Sequence, residues 1–270
     1  MNHEKYLIVN ADDYGLTREV SRGIRHAHTS GIVSSTTAMM NMEGVLKDLK
    51  LTNSETPKLG IGIHLILTAG SPVLPTSEVP TLINQNGQFP KIQNIYEALN
   101  QMNPEEVYRE WNAQIEKFLS SGLKPDHLDS HHHVSYLDDM LFQKMLALAQ
   151  KYNLPIRKIP DQSTSGLIGT VPISLENRQL KAGVISPRNF ESRFYGESVS
   201  DILLTKILSK LGSGITEIMA HPGFVDDILY TKSSYISGRK TELDILGSDK
   251  AKKLIEELGI NLTTFNFLGD

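Results

Sequence analysis

The stretch His127-Leu-Asp-Ser-His-His-His133 concentrates four imidazoles and a carboxylate in seven residues, in a chain with nine His in all. Read as a strand, side-chain alternation sends His127, Asp129, His131 and His133 to one side. Read as a helix, His127 pairs with His131 and Asp129 with His133 one turn apart. In either geometry several strong ligands crowd one place, and such a cluster is costly unless it holds a cation or moves protons. Its internal position, after Leu123-Lys-Pro-Asp126 and ahead of a clear helical run, sets it apart from a tag.

Three further segments carry residues suited to the same chemistry. Asp12 and Asp13 follow an apolar run and precede Tyr14-Gly15. Adjacent carboxylates repel, and a strand points them opposite ways unless its end turns; a cation would offset the repulsion. One carboxylate would then serve the metal and the other remain free as a base. The plainer reading, a helix N-cap at Asp12 or Asp13, competes with Thr17, which is the better cap. His64 ends the apolar run Leu59-Gly-Ile-Gly-Ile-His64. Alone it reads as a hydrogen-bonded core residue; beside a separate His cluster it reads as a ligand. One carboxylate with two His is a common set for divalent cations that polarise a carbonyl and lower the pKa of water, and Asp129 could orient a ligand imidazole from behind. His221 stands in Met219-Ala-His-Pro-Gly-Phe224, where Pro222 and Gly223 end a strand and turn sharply. Opposite a carboxylate base it suits a general acid; as a plain turn residue it would bond to backbone.

The elements that must position these residues alternate along the chain. Tyr6–Val9, Ile32–Met40, Leu59–His64, Pro155–Ile159, Thr216–Ala220 and Leu262–Phe267 read as strands. Helices are expected from about Thr17 to Thr29, Pro104 to Ser121, Asp138 to Tyr152 and Ser248 to Leu258, with Gly31, Gly122 and Gly259 as stops. This βαβα order predicts an α/β fold with a parallel sheet, open or closed into a barrel, whose active residues gather at the carboxyl ends of strands. The Pro-rich run Gly70–Pro90 reads as a loop over the site, and Thr164–Phe190 as a second insertion. Neither resembles a linker, so one domain is expected over residues 1–270.

The chain has 270 residues, 39% of them hydrophobic and 21% charged, enough apolar material for a sizeable core. Its formal net charge of −4, without a Lys/Arg block, speaks against nucleic acid as a partner. No apolar run reaches the ~18–20 residues of a membrane span, and Met1–Asn10 lacks a secretory signature. Cysteine is absent, so any metal must sit on His, Asp or Glu. A cytoplasmic enzyme with no membrane partner is expected. No Gly-x-Ser-x-Gly elbow, P-loop or Gly-x-Gly-x-x-Gly occurs, which leaves serine-nucleophile and nucleotide chemistry unsupported.

Asn10-Ala-Asp-Asp-Tyr-Gly15, Gly62-Ile-His-Leu65, His127–His133 and Ala220-His-Pro-Gly223 occur in the order seen in YdjC-like carbohydrate deacetylases, and the sequence resembles that family from its first strand to beyond residue 223. The first and third motifs are specific; the other two are short. The resemblance implies a distorted seven-stranded (β/α) barrel of the glycoside hydrolase/deacetylase type. It implies removal of an N-acetyl group from a chitobiose-type amino sugar, plain or 6-phosphorylated, with one divalent metal, Mg2+ or Zn2+, and a homodimer. By position, Asp12 matches the family's base, Asp13, His64 and His131 its metal ligands, and His221 the histidine that protonates the leaving amine. His127, Asp129 and His133 match motif positions expected behind the ligands or against substrate. One departure is Ser135, where a further His is often found. Phe190 and Tyr195 are expected to offer an aromatic face to a pyranose ring.

Two rivals remain. A metal-dependent phosphatase or amidohydrolase on a related barrel would usually open with His-x-His on its first strand, where this chain has Asp12-Asp13. A non-catalytic sugar-binding relic would have no need of a paired base and acid.

Overall fold

The computed structural model describes residues 4–160 and 174–269. Seven strands form one parallel sheet: β1 (Lys5–Tyr14), β2 (Ser35–Ala38), β3 (Gly60–Leu65), β4 (Leu128–Ser130), β5 (Asn189–Glu191), β6 (Gly214–Ala220) and β7 (Ile260–Leu262). The spatial order is β4-β3-β2-β1-β6-β5, with β7 paired to the first residues of β1. The sheet curls into a half-barrel, and helices pack against its outer side. Beyond β4, Ile156 bridges to Leu128, and its N–H donates to the carbonyl of Ile185 shortly before β5. The expected strand at Pro155–Ile159 is thus a single bridge residue.

Alternation divides β1 between two environments. Leu7, Val9 and Ala11 join the apolar core beneath the helices, together with Trp111, Ile115 and Phe118 of helix Pro104–Leu119. Asn10 and Asp12 face inward, where Asn10 Nδ2 donates to Asp12 Oδ1 and to Thr37 Oγ1 of β2. The helices begin where capping chemistry dictates. Thr17 accepts the N–H of Val20 ahead of helix Arg18–Ser30, and Asn103 caps Pro104–Leu119 with Pro at its first turn. The Gly70–Pro90 region is held against that second helix, since Glu110 accepts the N–H groups of Val73 and Leu74 and Glu106 accepts that of Thr81. Of the second expected insertion, residues 164–173 lie outside the described residues, and Ser174–Ala182 is helical.

Two strand ends bend sharply. The β1–β2 register shifts between Ala11 and Tyr14, and Asp13 adopts φ 70°. This left-handed turn lets two adjacent carboxylates reach one space, which a straight strand forbids. After β4 the chain enters a 3₁₀ segment, His131–Tyr136, with φ near +55° at His132 and His133. Asp and His are among the residues that enter this region most readily. The strand reading of the His cluster therefore holds for Asp129, with His127 just ahead of β4, and gives way at His131.

The lower barrel is closed by an imidazole. His127 donates from Nδ1 to Asp126 Oδ1 at 2.7 Å and stacks on Phe265, ring centroids 3.6 Å apart and planes 7° from parallel. Phe265 belongs to a 3₁₀ turn after β7, so the last strand ends before the expected Phe267. A Cβ on Gly62 would run into the His127 ring. We therefore expect Gly62→Ala to destabilise the fold by about 1–3 kcal/mol through overpacking, measured by urea denaturation; an unchanged midpoint would contradict this packing.

Candidate active site

The upper ends of β1, β3 and β4 bring three expected ligands together. Asp13 Oδ1 lies 3.1 Å from His131 Nδ1 and 3.4 Å from His64 Nε2, and those two nitrogens are 3.3 Å apart. Asp13 Oδ1 is buried without a hydrogen-bond partner. His64 donates from Nδ1 to Asp129 Oδ1 at 2.6 Å, which leaves Nε2 aimed at the cluster. Burial alone would pull His64 down, yet the charge and hydrogen bond of Asp129, with Asp13 and Asp12 nearby, push it up to about 10. The surroundings thus call for positive charge at this point. An unsatisfied carboxylate oxygen, two imidazole nitrogens and that field fit a divalent cation. A second grouping, Asp12, His64 and Asp129, also has closely spaced ligand atoms. Its carboxylates are already engaged by Arg157, so Asp13, His64 and His131 are the better set.

Arg157 is wholly buried and binds three carboxylates. Its Nη2 donates to Asp12 Oδ1 at 2.6 Å and Nη1 to Asp12 Oδ2 at 2.8 Å. Nη1 also lies 3.0 Å from Asp129 Oδ2, and Nε donates to Glu217 Oε1 at 2.7 Å. Burial would raise the Asp12 carboxyl, but the charge and hydrogen bonds of Arg157 hold it well below the usual carboxylate range. Burial wins at Glu217, which is pushed up to about 7 against the pull of Arg157 and His127. Asp13 is likewise held low despite burial, chiefly by Arg239, whose Nη2 donates to Asp13 Oδ2 at 2.6 Å.

His221 closes the opposite side. Its Nε2 stands 3.9 Å from Asp12 Oδ2, and burial pulls the imidazole down to about 4, outweighing the attraction of Asp12 and Asp13. Its main-chain N–H donates to Glu242 Oε2. Beside it, the Tyr195 and Tyr235 ring centroids are 4.4 Å apart and lie 5.1 and 5.9 Å from His221. Tyr195 is 45% exposed. Phe190 is more enclosed, with the Arg157 guanidinium over its ring and His133 edge-on to it at 5.7 Å.

The expected residues therefore fall at three levels. Asp12, Asp13, His64, His131 and His221 converge on one cleft, with Asp129 directly behind His64. His133 and Phe190 form a wall beside Arg157, and Tyr195 stands at the mouth. His127 lies below, against Gly62 and Phe265. Sequence reasoning missed Arg157, Glu217, Arg239 and Glu242. Arg157 left one signal, a cation inside the apolar run Pro155-Ile-Arg-Lys-Ile159. Arg239 and Glu242 sit on an ordinary-looking helix, Ser237–Leu246, and left none.

Over residues 6–257 the sequence matches the family model described as YdjC-like protein. The chain belongs to the YdjC-like family. Similar family members include a carbohydrate deacetylase from Enterococcus faecalis, 39% identical over 98% of each chain. A chitooligosaccharide deacetylase from Proteus mirabilis is 38% identical, covering 97% of this chain and 98% of that protein. Among solved structures, a putative cellobiose-phosphate cleavage protein from Enterococcus faecalis superposes with a TM-score of 0.86 at 38% identity, over 98% of this chain and 99% of that one. A lactam utilization protein from Thermus thermophilus shares the fold at TM-score 0.52 and 14% identity.

In this YdjC-like chain, removing the Arg157 charge would leave Asp12, Asp129 and Glu217 buried and uncompensated. We expect Arg157→Met to cost about 3–5 kcal/mol of stability, the scale for breaking a buried ion pair. Equilibrium denaturation checks this, and a loss below about 1 kcal/mol, typical of exposed pairs, would contradict it.

Proposed function

We propose that the protein is a metal-dependent carbohydrate deacetylase, hydrolysing the N-acetyl group of a chitobiose-type amino sugar, plain or 6-phosphorylated. The observation that carries this reading is the convergence of Asp13, His64 and His131 on one point, beside the facing pair Asp12 and His221. The deacetylase names of the family members above support the reaction class, and the name of the Proteus mirabilis protein supports the sugar.

Asp13, His64 and His131 would hold one divalent ion, Mg2+ or Zn2+. Such an ion, when bound, polarises a carbonyl and makes water more acidic. Asp12 is the proposed base. Arg157 keeps it ionised, and Oδ2, which faces His221, is the oxygen proposed to take a proton from the attacking water. His221 begins neutral in its buried setting. It becomes an acid by receiving a proton within the cleft and returns it to the amine nitrogen as the C–N bond breaks. The products are acetate and the free amino sugar, so water supplies both the acetate oxygen and the amine proton. Tyr195 at the mouth is the proposed pyranose platform, with Phe190 and His133 as the wall beside it. Asp129 orients His64 from within the barrel, and His127 packs the floor below it against Phe265.

The direct test is acetate release from N,N'-diacetylchitobiose and its 6-phosphate in the presence of Mg2+ or Zn2+. No release from either sugar with either metal would sink the substrate assignment. Release of phosphate in place of acetate would favour the phosphatase, and tight sugar binding without turnover the binding relic. His131→Ala should lose metal binding by calorimetry. His221→Ala should keep it while acetate release falls about 10²–10⁴-fold, the range for a lost general acid. Loss of metal in His221→Ala would contradict this division of roles.

A further inference from the structure

The ring of His221 lacks the support that usually aims an acid–base imidazole. A carboxylate or carbonyl normally accepts from the second ring nitrogen and fixes its orientation. Here Nδ1 is buried and unpartnered, and Nε2 faces Asp12 across 3.9 Å. The position of the imidazole must therefore come from its backbone and from the rings around it.

Both are tied to helix Ser237–Leu246. Pro222 has no N–H to give, and the groups on either side of it bond to this helix. His221 N–H donates to Glu242 Oε2, and Gly223 N–H donates to the carbonyl of Arg239 at 3.2 Å. The other oxygen of Glu242 accepts the Tyr235 hydroxyl at 2.6 Å, and that hydroxyl in turn accepts Gly196 N–H at 3.1 Å. On the far side the loop presses on helix Arg18–Ser30 so closely that a Cβ on Gly23 would collide with the main chain of Gly223 and Phe224. One carboxylate thus fixes the backbone under His221 and the tyrosine beside it. Three residues earlier on the same helix, Arg239 holds Asp13.

We propose that Glu242 is a positioning residue for His221, acting through the main chain and Tyr235, so that one helix sets the distance between the Asp13 ligand cluster and the proton-donating imidazole. A carboxylate with no exposure is an expensive way to fill space. An apolar side chain would fill the volume, but it would free the His221 and Tyr235 donors together. Burial pushes the Glu242 carboxyl up to about 8, and the loop it holds cannot shift without breaking the His221 and Tyr235 hydrogen bonds to its two oxygens.

The proposal rests on the deacetylase reading for its kinetic readout, so the experiment carries a second readout independent of turnover. Glu242→Gln keeps the shape and one carbonyl acceptor; Glu242→Leu keeps neither. Acetate release from N,N'-diacetylchitobiose, whose amine must be protonated to leave, is compared with release from 4-nitrophenyl acetate, whose phenolate leaves without a proton. The Leu variant should lose at least about tenfold in kcat on the sugar, short of the ~10²–10⁴-fold contribution of a whole general acid, with KM, Zn2+ affinity and ester turnover changed by less than about twofold. The Gln variant should lie between Leu and wild type. Equal losses on both substrates, or no loss on the sugar, would overturn the proposal. The second readout is the ring 1H–13C spectrum of histidine-labelled protein. Glu242→Gln should move the His221 signal and leave those of His64 and His131, and an unmoved His221 signal would overturn the proposal even if Leu fails to fold. Wild type that releases no acetate from the sugar would sink the deacetylase reading alone, and the ring spectrum would still decide the role of Glu242.

Discussion

The grip of Arg157 on Asp12, Asp129 and Glu217 is the constraint on which the rest of the site depends. Three carboxylates converge on one guanidinium with almost no solvent. Such a group is affordable only where every charge is paired and hydrogen-bonded. With Asp13 and Arg239 added, the barrel holds more buried carboxylates than guanidiniums. The imbalance surfaces at His64, which the neighbouring carboxylates draw toward its charged form, while burial holds the proton on Glu217 up to about 7. A cation beside Asp13 would relieve the same imbalance, so the electrostatics of the interior and the proposed ligand set have one cause.

The interior is arranged in tiers along the strands. Apolar and aromatic groups, with the His127–Phe265 stack, fill the bottom. Arg157 and its carboxylates occupy the middle. Asp13, His64, His131 and His221 sit where the strands end and the backbone turns at Asp13 and after Ser130. Each turn carries a non-glycine residue in the left-handed region, at a cost of about 1–2 kcal/mol. Strain of that size persists where surrounding contacts over-determine it, and the Arg239–Asp13 pair is one such contact.

What the sequence disclosed follows the range of the interactions involved. Thr17, Pro104 and the stopping glycines act within a turn or two, so the helices they bound fell where local chemistry placed them. The parallel sheet was legible because alternating strands and helices leave few other architectures. Asp12, Asp13, His64, His131 and His221 stood out as polar residues just after apolar strands. Arg157, Glu217, Arg239 and Glu242 did not, because their meaning lies in partners 60 to 226 positions away or in a main-chain N–H. The His127–His133 stretch divides on the same line. Alternation grouped its first two inward residues correctly, while the left-handed turns at His132 and His133 belong to tertiary packing. Phe190 and Tyr195 looked alike as candidate platforms; only the fold shows that one ring lies under Arg157 and the other opens to solvent.

The central claim is that the cation belongs to Asp13, His64 and His131 while Arg157 retains Asp12. A crystal grown with Zn2+ and recorded across the zinc absorption edge addresses it directly. One anomalous peak is expected beside Asp13 Oδ1, His64 Nε2 and His131 Nδ1, with both Asp12 oxygens still on Arg157. A peak between Asp12, His64 and Asp129, with Arg157 displaced, or no peak in the cleft, would contradict it.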